Sequence, residues 1–163
     1  EGGTNAQAIQ GCKEILDQEG LNFDYVCCPV GTGGTVSGII ESSSATQKIL
    51  GFPALKGDFL KKEIKKWTSR TNWELVNGYH YGGYAKMDAG LISFINNFYE
   101  EHNILLDPVY TSKMVFGILD LVKKGYFPAK SRILAIHTGG LQGIQGMNKQ
   151  LLKKGLPLIR YSE

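Results

Sequence analysis

Apolar positions in this chain alternate between helical stripes and short unbroken runs, with glycine at many of the joins. After a flexible lead-in of Glu1, Gly2 and Gly3, Thr4 followed three residues later by Gln7 has the form of a capping box. Ala6, Ala8, Ile9, Cys12, Ile15 and Leu16 then recur at helical spacing, which predicts a helix ending near Gly20. Phe23 to Val30 is a mainly apolar run short enough for a buried strand. It empties into Gly31-Thr32-Gly33-Gly34-Thr35, and Val36-Ser37-Gly38-Ile39-Ile40 opens a helix expected to reach about Ser43. Lys48 to Leu55 is a second strand candidate whose Pro53 marks either an edge strand or a strand terminus. Asp58 is placed to cap a helix with Leu60, Ile64 and Trp67 on one face and Lys61, Lys62, Lys65 and Lys66 on the other.

A possible strand over Trp73 to Val76 leads into Asn77-Gly78-Tyr79-His80-Tyr81-Gly82-Gly83-Tyr84, a loop of aromatics and glycine that is either a packed surface turn or a pocket wall. Met87 to His102 reads as a helix with Leu91, Ile95, Phe98 and Tyr99 inward. From about Thr111 a further helix carries Val115, Ile118, Leu119 and Val122 on a stripe and stops near Gly125. Ser131 to His137 is the most strand-like run, apolar enough in its middle to be buried on both faces. It too ends in a glycine turn, Thr138-Gly139-Gly140, before a helix through Met147 to Leu152. The expected fold class is α/β, a twisted, mainly parallel open sheet flanked by helices. Two strands that each empty into a Gly/Thr turn opening a helix place a ligand site at their carboxyl ends.

Composition narrows the function classes. At 163 residues the chain can build a substantial core without disulfides or a structural metal, and 42% hydrophobic with 20% charged residues is ordinary for a globular protein. Glycine is not ordinary: 21 residues is nearly twice the usual share of about 7%. A net charge of +3 argues for neither nucleic acid nor a membrane surface, and the lysine-rich helix face reads as solvated. No run is long enough to span a membrane and no leader pattern is evident, so a cytoplasmic protein is expected. Cys27 and Cys28, adjacent on a strand, point to opposite faces and read as core residues of a reducing compartment, with Cys12 apart from them. His80 and His102 lack cysteine or carboxylate partners at ligand spacing, so no metal is expected. His137 either supports a neighbouring site or is simply a packed, hydrogen-bonded histidine.

The turn Gly31 to Thr35 carries the chemistry. Glycines let backbone amides close on an anion, threonine hydroxyls add donors, and the following helix dipole favours negative charge. It lacks the Lys-Ser/Thr ending of a nucleoside-triphosphate loop, and Val36 stands where a dinucleotide fingerprint has its third glycine. Spacing alone leaves two readings, a phosphate cradle or a tight strand-to-helix connection.

Four segments taken together decide between them: Glu1-Gly2-Gly3-Thr4-Asn5, Gly31-Thr32-Gly33-Gly34-Thr35, Asp107-Pro108-Val109-Tyr110-Thr111-Ser112-Lys113 and His137-Thr138-Gly139-Gly140. In that order they resemble the C-terminal portion of a pyridoxal-phosphate enzyme of the 1-aminocyclopropane-1-carboxylate deaminase and D-cysteine desulfhydrase family, which has the tryptophan-synthase-β-like fold (fold type II). The resemblance covers nearly the whole chain. It implies pyridoxal 5'-phosphate as cofactor, a small amino-acid substrate, a homodimer for the full-length protein, and for residues 1–163 most of the larger, cofactor-binding domain without a second complete domain. It implies cofactor-binding roles for Gly31, Thr32, Gly33, Gly34, Thr35, Thr111, Thr138 and Gly139, with Thr138 facing the pyridine nitrogen, and catalytic roles beside the substrate for Tyr110 and Tyr84. Tyr84 is followed by Ala85-Lys86 where the family has glycine and a proline-bearing turn.

Members resembling the cyclopropane-opening deaminase carry Glu after the tyrosine and Leu after the histidine. Thr111 and Thr138 here resemble D-cysteine desulfhydrases, whose expected reaction is α,β-elimination to a 2-oxo acid, ammonia and sulfide. The alternatives are 1-aminocyclopropane-1-carboxylate deaminase, giving 2-oxobutanoate and ammonia, and a non-catalytic phosphate-binding module. The family's Schiff-base lysine, in a Gly-Gly-Asn-Lys context, does not occur in this sequence. The chain begins at Glu1 without methionine and reads as a fragment or a pseudo-enzyme, inactive by itself.

Overall fold

The computed structural model describes residues 3–16 and 20–161. Glu1 and Gly2, and the expected last turn of the first helix, lie outside the described residues. Four strands, β1 (Tyr25–Val30), β2 (Lys48–Pro53), β3 (Trp73–Leu75) and β4 (Ile133–Ala135), form one sheet in the order β3-β2-β1-β4, every pairing parallel. Among the described residues the α-helices are α1 (Ala6–Cys12), α2 (Gly34–Ser42), α3 (Phe59–Lys65), α4 (Ala89–His102), α5 (Thr111–Lys123) and α6 (Gly143–Lys153). The α/β class with an open parallel sheet is therefore the one the chain adopts.

Alternation along β1 sorts the core into two layers. Val26, Cys28 and Val30 pack with Val36, Ile39 and Ile40 of α2 and with Leu60 and Ile64 of α3. Cys27 faces the other way, joining Leu50 and Phe52 of β2 against Met114 and Ile118 of α5. Both thiols are free and wholly buried, and desolvation pushes Cys27 up to about 12 and Cys28 above its ordinary range. A third cluster joins Leu91, Ile92 and Ile95 of α4 to Ile144, Met147 and Leu151 of α6 and to Ile159 of the C-terminal tail. Asn148 grips the Ile159 backbone at both N–H and C=O (2.9 and 2.8 Å), and Asn96 accepts from Arg160 N–H and donates to Leu158 C=O (2.8 and 3.0 Å).

Several elements depart from the expectations of the sequence. Asn5, not Thr4, caps α1, its Oδ1 accepting from Ala8 N–H at 2.8 Å; the Thr4 hydroxyl is turned to Thr32 instead. β2 is an interior strand rather than an edge, and Pro53 takes the other position expected of it, the strand terminus. Asp58 stands at the N-cap of α3 without a capping bond from its side chain. β4 is only partly buried: it is a three-residue edge strand, paired with β1 alone among the described residues, with Ile133 packed toward one core layer and Leu134 toward the other. An apolar run reports that burial is possible but not how many neighbours a strand will have. On α5 the predicted stripe is displaced. Leu119 and Val122 are exposed, and the buried face is Thr111, Ser112, Lys113, Met114, Gly117 and Ile118; Thr111 and Lys113 are hydrogen-bonded inside, while the buried Ser112 hydroxyl has no partner among the described residues. The four lysines around α3 are solvent-facing as expected, with Lys66 paired to Glu63 at 2.6 Å.

Candidate functional site

The carboxyl end of β1 opens into a cleft of about 490 Å³. One wall is Gly31 to Thr35. Gly33 is the N-cap of α2 and sits in the left-handed region, φ +98°, which a side chain resists. Having no side chain, it leaves the amides of the first turn of α2 uncapped, ahead of the first intrahelical bond from Ser37 N–H to Gly33 C=O (3.0 Å). Those donors and the positive end of the nine-residue helix open on the cleft. The Thr4 hydroxyl lies 2.9 Å from Thr32 Oγ1 and 3.1 Å from the Thr32 carbonyl, tying the lead-in of α1 to the turn. α1 comes this close because Gly38 of α2 presents only hydrogen to it; a Cβ there would stand 2.5 Å from Cys12 Cβ.

The opposite wall is Thr138, Gly139 and Gly140. His137 shapes it: Nε2–H donates to the Leu105 carbonyl (2.9 Å) while Nδ1 accepts from Gly139 N–H (3.2 Å). The histidine is thus a fastener between two loops. Asp107, buried, accepts from the Val109, Tyr110 and Thr111 amides and from the Thr111 hydroxyl at 2.6 to 2.8 Å. Gly140 passes so near that a Cβ would meet Asp107 Cγ at 3.1 Å.

Tyr110 lines the cleft with its ring against Gly31, where a Cβ would lie 3.3 Å from the tyrosine Cε1. Burial raises its hydroxyl above the usual tyrosine range, with the neighbouring Tyr84 hydroxyl and then Asp107 adding to the effect. Tyr84 is outside the lining residues and 57% exposed; it stands beside Tyr110 edge-to-face, ring centroids 6.1 Å apart. The structure therefore brings Gly31, Thr32, Gly33, Gly34, Thr35, Tyr110, Thr138 and Gly139 together around one cleft. Thr111 it does not: this residue is fully buried, with its hydroxyl on Asp107. Cys12 and Gln142 also line the cleft and carry no signal in the sequence that would have marked them.

Lys113 is the residue whose environment the sequence hid most completely. It is 2% exposed, and its Nζ donates to the carbonyls of His80 and Gly83, each at 2.9 Å. Burial pushes the ammonium down to about 8, the nearby Asp107 carboxylate opposing that in part. Among the described residues no lysine lines the cleft.

These residues fit pyridoxal 5'-phosphate. Uncapped helix amides and two threonine hydroxyls suit a phosphate, the space suits a cofactor-sized ring, and the Thr138 hydroxyl on the far wall suits a ring nitrogen. Comparison with known proteins agrees. Residues 4–139 match the family model for pyridoxal-phosphate dependent enzymes. A putative 1-aminocyclopropane-1-carboxylate deaminase of Pyrococcus abyssi is 31% identical over 89% of this chain and 48% of its own length. The 1-aminocyclopropane-1-carboxylate deaminase of a Bradyrhizobium strain (ORS 278) is 31% identical over 82% of this chain and 45% of its own. A crystal structure of an ACC deaminase homologue superposes with a TM-score of 0.73 at 26% identity, covering 90% of this chain and 48% of that one. The chain thus spans about half the length of the relatives it matches. From turn, cleft and these likenesses together, the chain belongs to the pyridoxal-phosphate dependent enzymes of fold type II, and among them it is similar to proteins named 1-aminocyclopropane-1-carboxylate deaminase.

Proposed function

We propose that the full protein carrying this chain catalyses α,β-elimination on D-cysteine or a close analogue, releasing a 2-oxo acid, ammonia and sulfide. The observation that carries this reading is Thr138, a neutral hydroxyl on the cleft wall at the end of the β4 segment. Bound in the cleft, the cofactor supplies an electron sink for charge developing at the substrate α-carbon. A hydroxyl facing its ring nitrogen does not hold a proton there as a carboxylate does, which suits an easily broken bond such as that to a thiol leaving group. The Thr111 position adds less than its sequence match implies, since its hydroxyl is engaged by Asp107.

The remaining residues bind and orient. Amides of Gly31 to Thr35 and the Thr32 and Thr35 hydroxyls hold the phosphate. Tyr110, whose hydroxyl is protonated at neutral pH as an ordinary tyrosine's is and is raised further by burial, faces the substrate and donates to the departing sulfur. Tyr84 closes the rim. The lysine that attaches the cofactor comes from outside these residues, so the chain alone is inactive; sulfide release from D-cysteine above a cofactor-only background would contradict that. Residues 1–163 form most of the larger domain, and the full protein is a homodimer.

A second reading, 1-aminocyclopropane-1-carboxylate deaminase, is favoured by the names of the relatives above. Assaying the full protein with D-cysteine and the cyclopropane amino acid side by side separates the two. Faster turnover of the cyclopropane overturns the argument from Thr138.

A further inference from the structure

The loop between β3 and α4 is held in a conformation its sequence does not favour. Tyr81 (φ +56°) and Ala85 (φ +53°) both occupy the left-handed region, with Gly82 (+93°) and Gly83 (+129°) between them. Side chains other than glycine resist that region, and such strain persists only where the surroundings impose it. Two successive turns are closed here, by Gly83 N–H on the His80 carbonyl (3.0 Å) and by Lys86 N–H on the Gly83 carbonyl (3.2 Å). The same two carbonyls accept from Lys113. A buried ammonium on the first turn of α5 thus reaches both turns at once, while Tyr81 is anchored separately on Phe116, ring centroids 5.8 Å apart. Tyr84 sits inside the second turn and meets Tyr110, three residues before Lys113 on the same segment.

We propose that Lys113 is a positioning residue: its amine clamps the strained 80–86 loop onto α5 and so fixes Tyr84 against Tyr110, the tyrosine that walls the cleft. The assignment of that wall to substrate rests on the function proposed above; the clamp itself rests on the geometry alone. Deprotonation does not release it, because a neutral amine still carries two N–H donors for two carbonyls.

The test compares amide hydrogen exchange in the wild-type chain, Lys113→Met and Lys113→Ala. In Lys113→Met, exchange over residues 80–86 is expected to rise roughly tenfold to a hundredfold, the loss of two charge-assisted hydrogen bonds, while β1 and β2 stay as they were. Ring-to-ring NOEs between Tyr84 and Tyr110 are expected to disappear with it. In Lys113→Ala, ethylammonium should restore loop protection, and tetramethylammonium, which has no N–H, should not. Unchanged loop exchange, an equal rise throughout the chain, intact Tyr84–Tyr110 NOEs, or no selective rescue each overturns the proposal. Should neither variant fold, the wild type decides: hydrogen-bond couplings from Lys113 Nζ to the His80 and Gly83 carbonyl carbons are expected, and their absence overturns it. Inorganic phosphate titrated into wild type and Lys113→Met keeps the two readings apart. Equal affinity is expected because the Gly31–Thr35 turn is untouched, whereas no binding by either would count against the cofactor reading and leave the loop result standing.

Discussion

At the scale of single residues, the site depends on groups whose behaviour is set by where they are buried. Lys113 titrates at about 8 in the fold against an ordinary 10.5. Between those values the native chain binds fewer protons than the unfolded one, so the contribution of Lys113 to stability rises as pH goes from about 8 to 10.5. Cys27 and Cys28 act in the opposite sense, since thiols held protonated cost stability once pH passes their ordinary 9.0. Both cysteines are shared by wild type and Lys113→Met, so the difference isolates the lysine. Urea midpoints at several pH values should show wild type gaining on the variant across that window; parallel curves would refute it. Gly33 is the other decisive residue. Gly33→Ala must place a Cβ at φ +98° and 3.2 Å from Ile64 Cγ1, costing about 1–2 kcal/mol. Denaturant unfolding measures that, and an unchanged midpoint would mean that the turn carries no strain. The glycines and threonines of both turns were legible in the sequence because their chemistry is local. Lys113 was not, for its carbonyl partners lie 30 and 33 residues away along the chain.

At the scale of elements, hydrophobic periodicity located nearly all the strands and helices, and failed where an element's neighbours decide its exposure. Ile133 to Ile136 reads as a fully buried strand, yet β4 is a partly exposed edge. Leu119 and Val122 read as the inward stripe of α5, yet the helix buries a polar first turn instead, because Asp107 caps the Val109, Tyr110 and Thr111 amides and Lys113 finds carbonyls inside. No apolar pattern reports on polar groups that satisfy one another. The contact between α1 and α2 is likewise invisible in the sequence, since Gly38 looks like a mere helix-weakening residue. Gly38→Ala would put its methyl 2.5 Å from Cys12 Cβ and 2.7 Å from the Ile9 carbonyl. Helix α1 must then move away, at about 1–3 kcal/mol for the overpacking. Because Thr4 leads into α1 and bonds Thr32, phosphate affinity is expected to fall together with the melting temperature. A lower melting temperature with unaltered phosphate affinity would show that α1 does not support the turn.

At the scale of the whole molecule, the three clusters are not equivalent. Two sandwich the sheet and share its central strands, so neither opens without breaking β1 and β2. The third lies among α4, α6 and the C-terminal tail, with Phe116 of α5 packed against it. It is closed by the grips of Asn96 on Leu158 and Arg160 and of Asn148 on Ile159. A layer that shares no strand with the sheet should open at lower free energy than the sheet itself. Native-state hydrogen exchange is therefore expected to show the amides of α4 and α6 opening before those of β1 and β2. Asn96→Ala or Asn148→Ala should lower the opening energy of the α4–α6 layer by about 1–3 kcal/mol, since each strands two backbone groups. The sheet amides should keep theirs. The cleft joins both regions, its Gly31 wall on the sheet and its Thr138 wall leading into α6. Phosphate binding at the first wall should thus raise protection in α2 and β1 and leave the α4–α6 layer where it was. A uniform rise from α1 through α6 would instead show one cooperative unit.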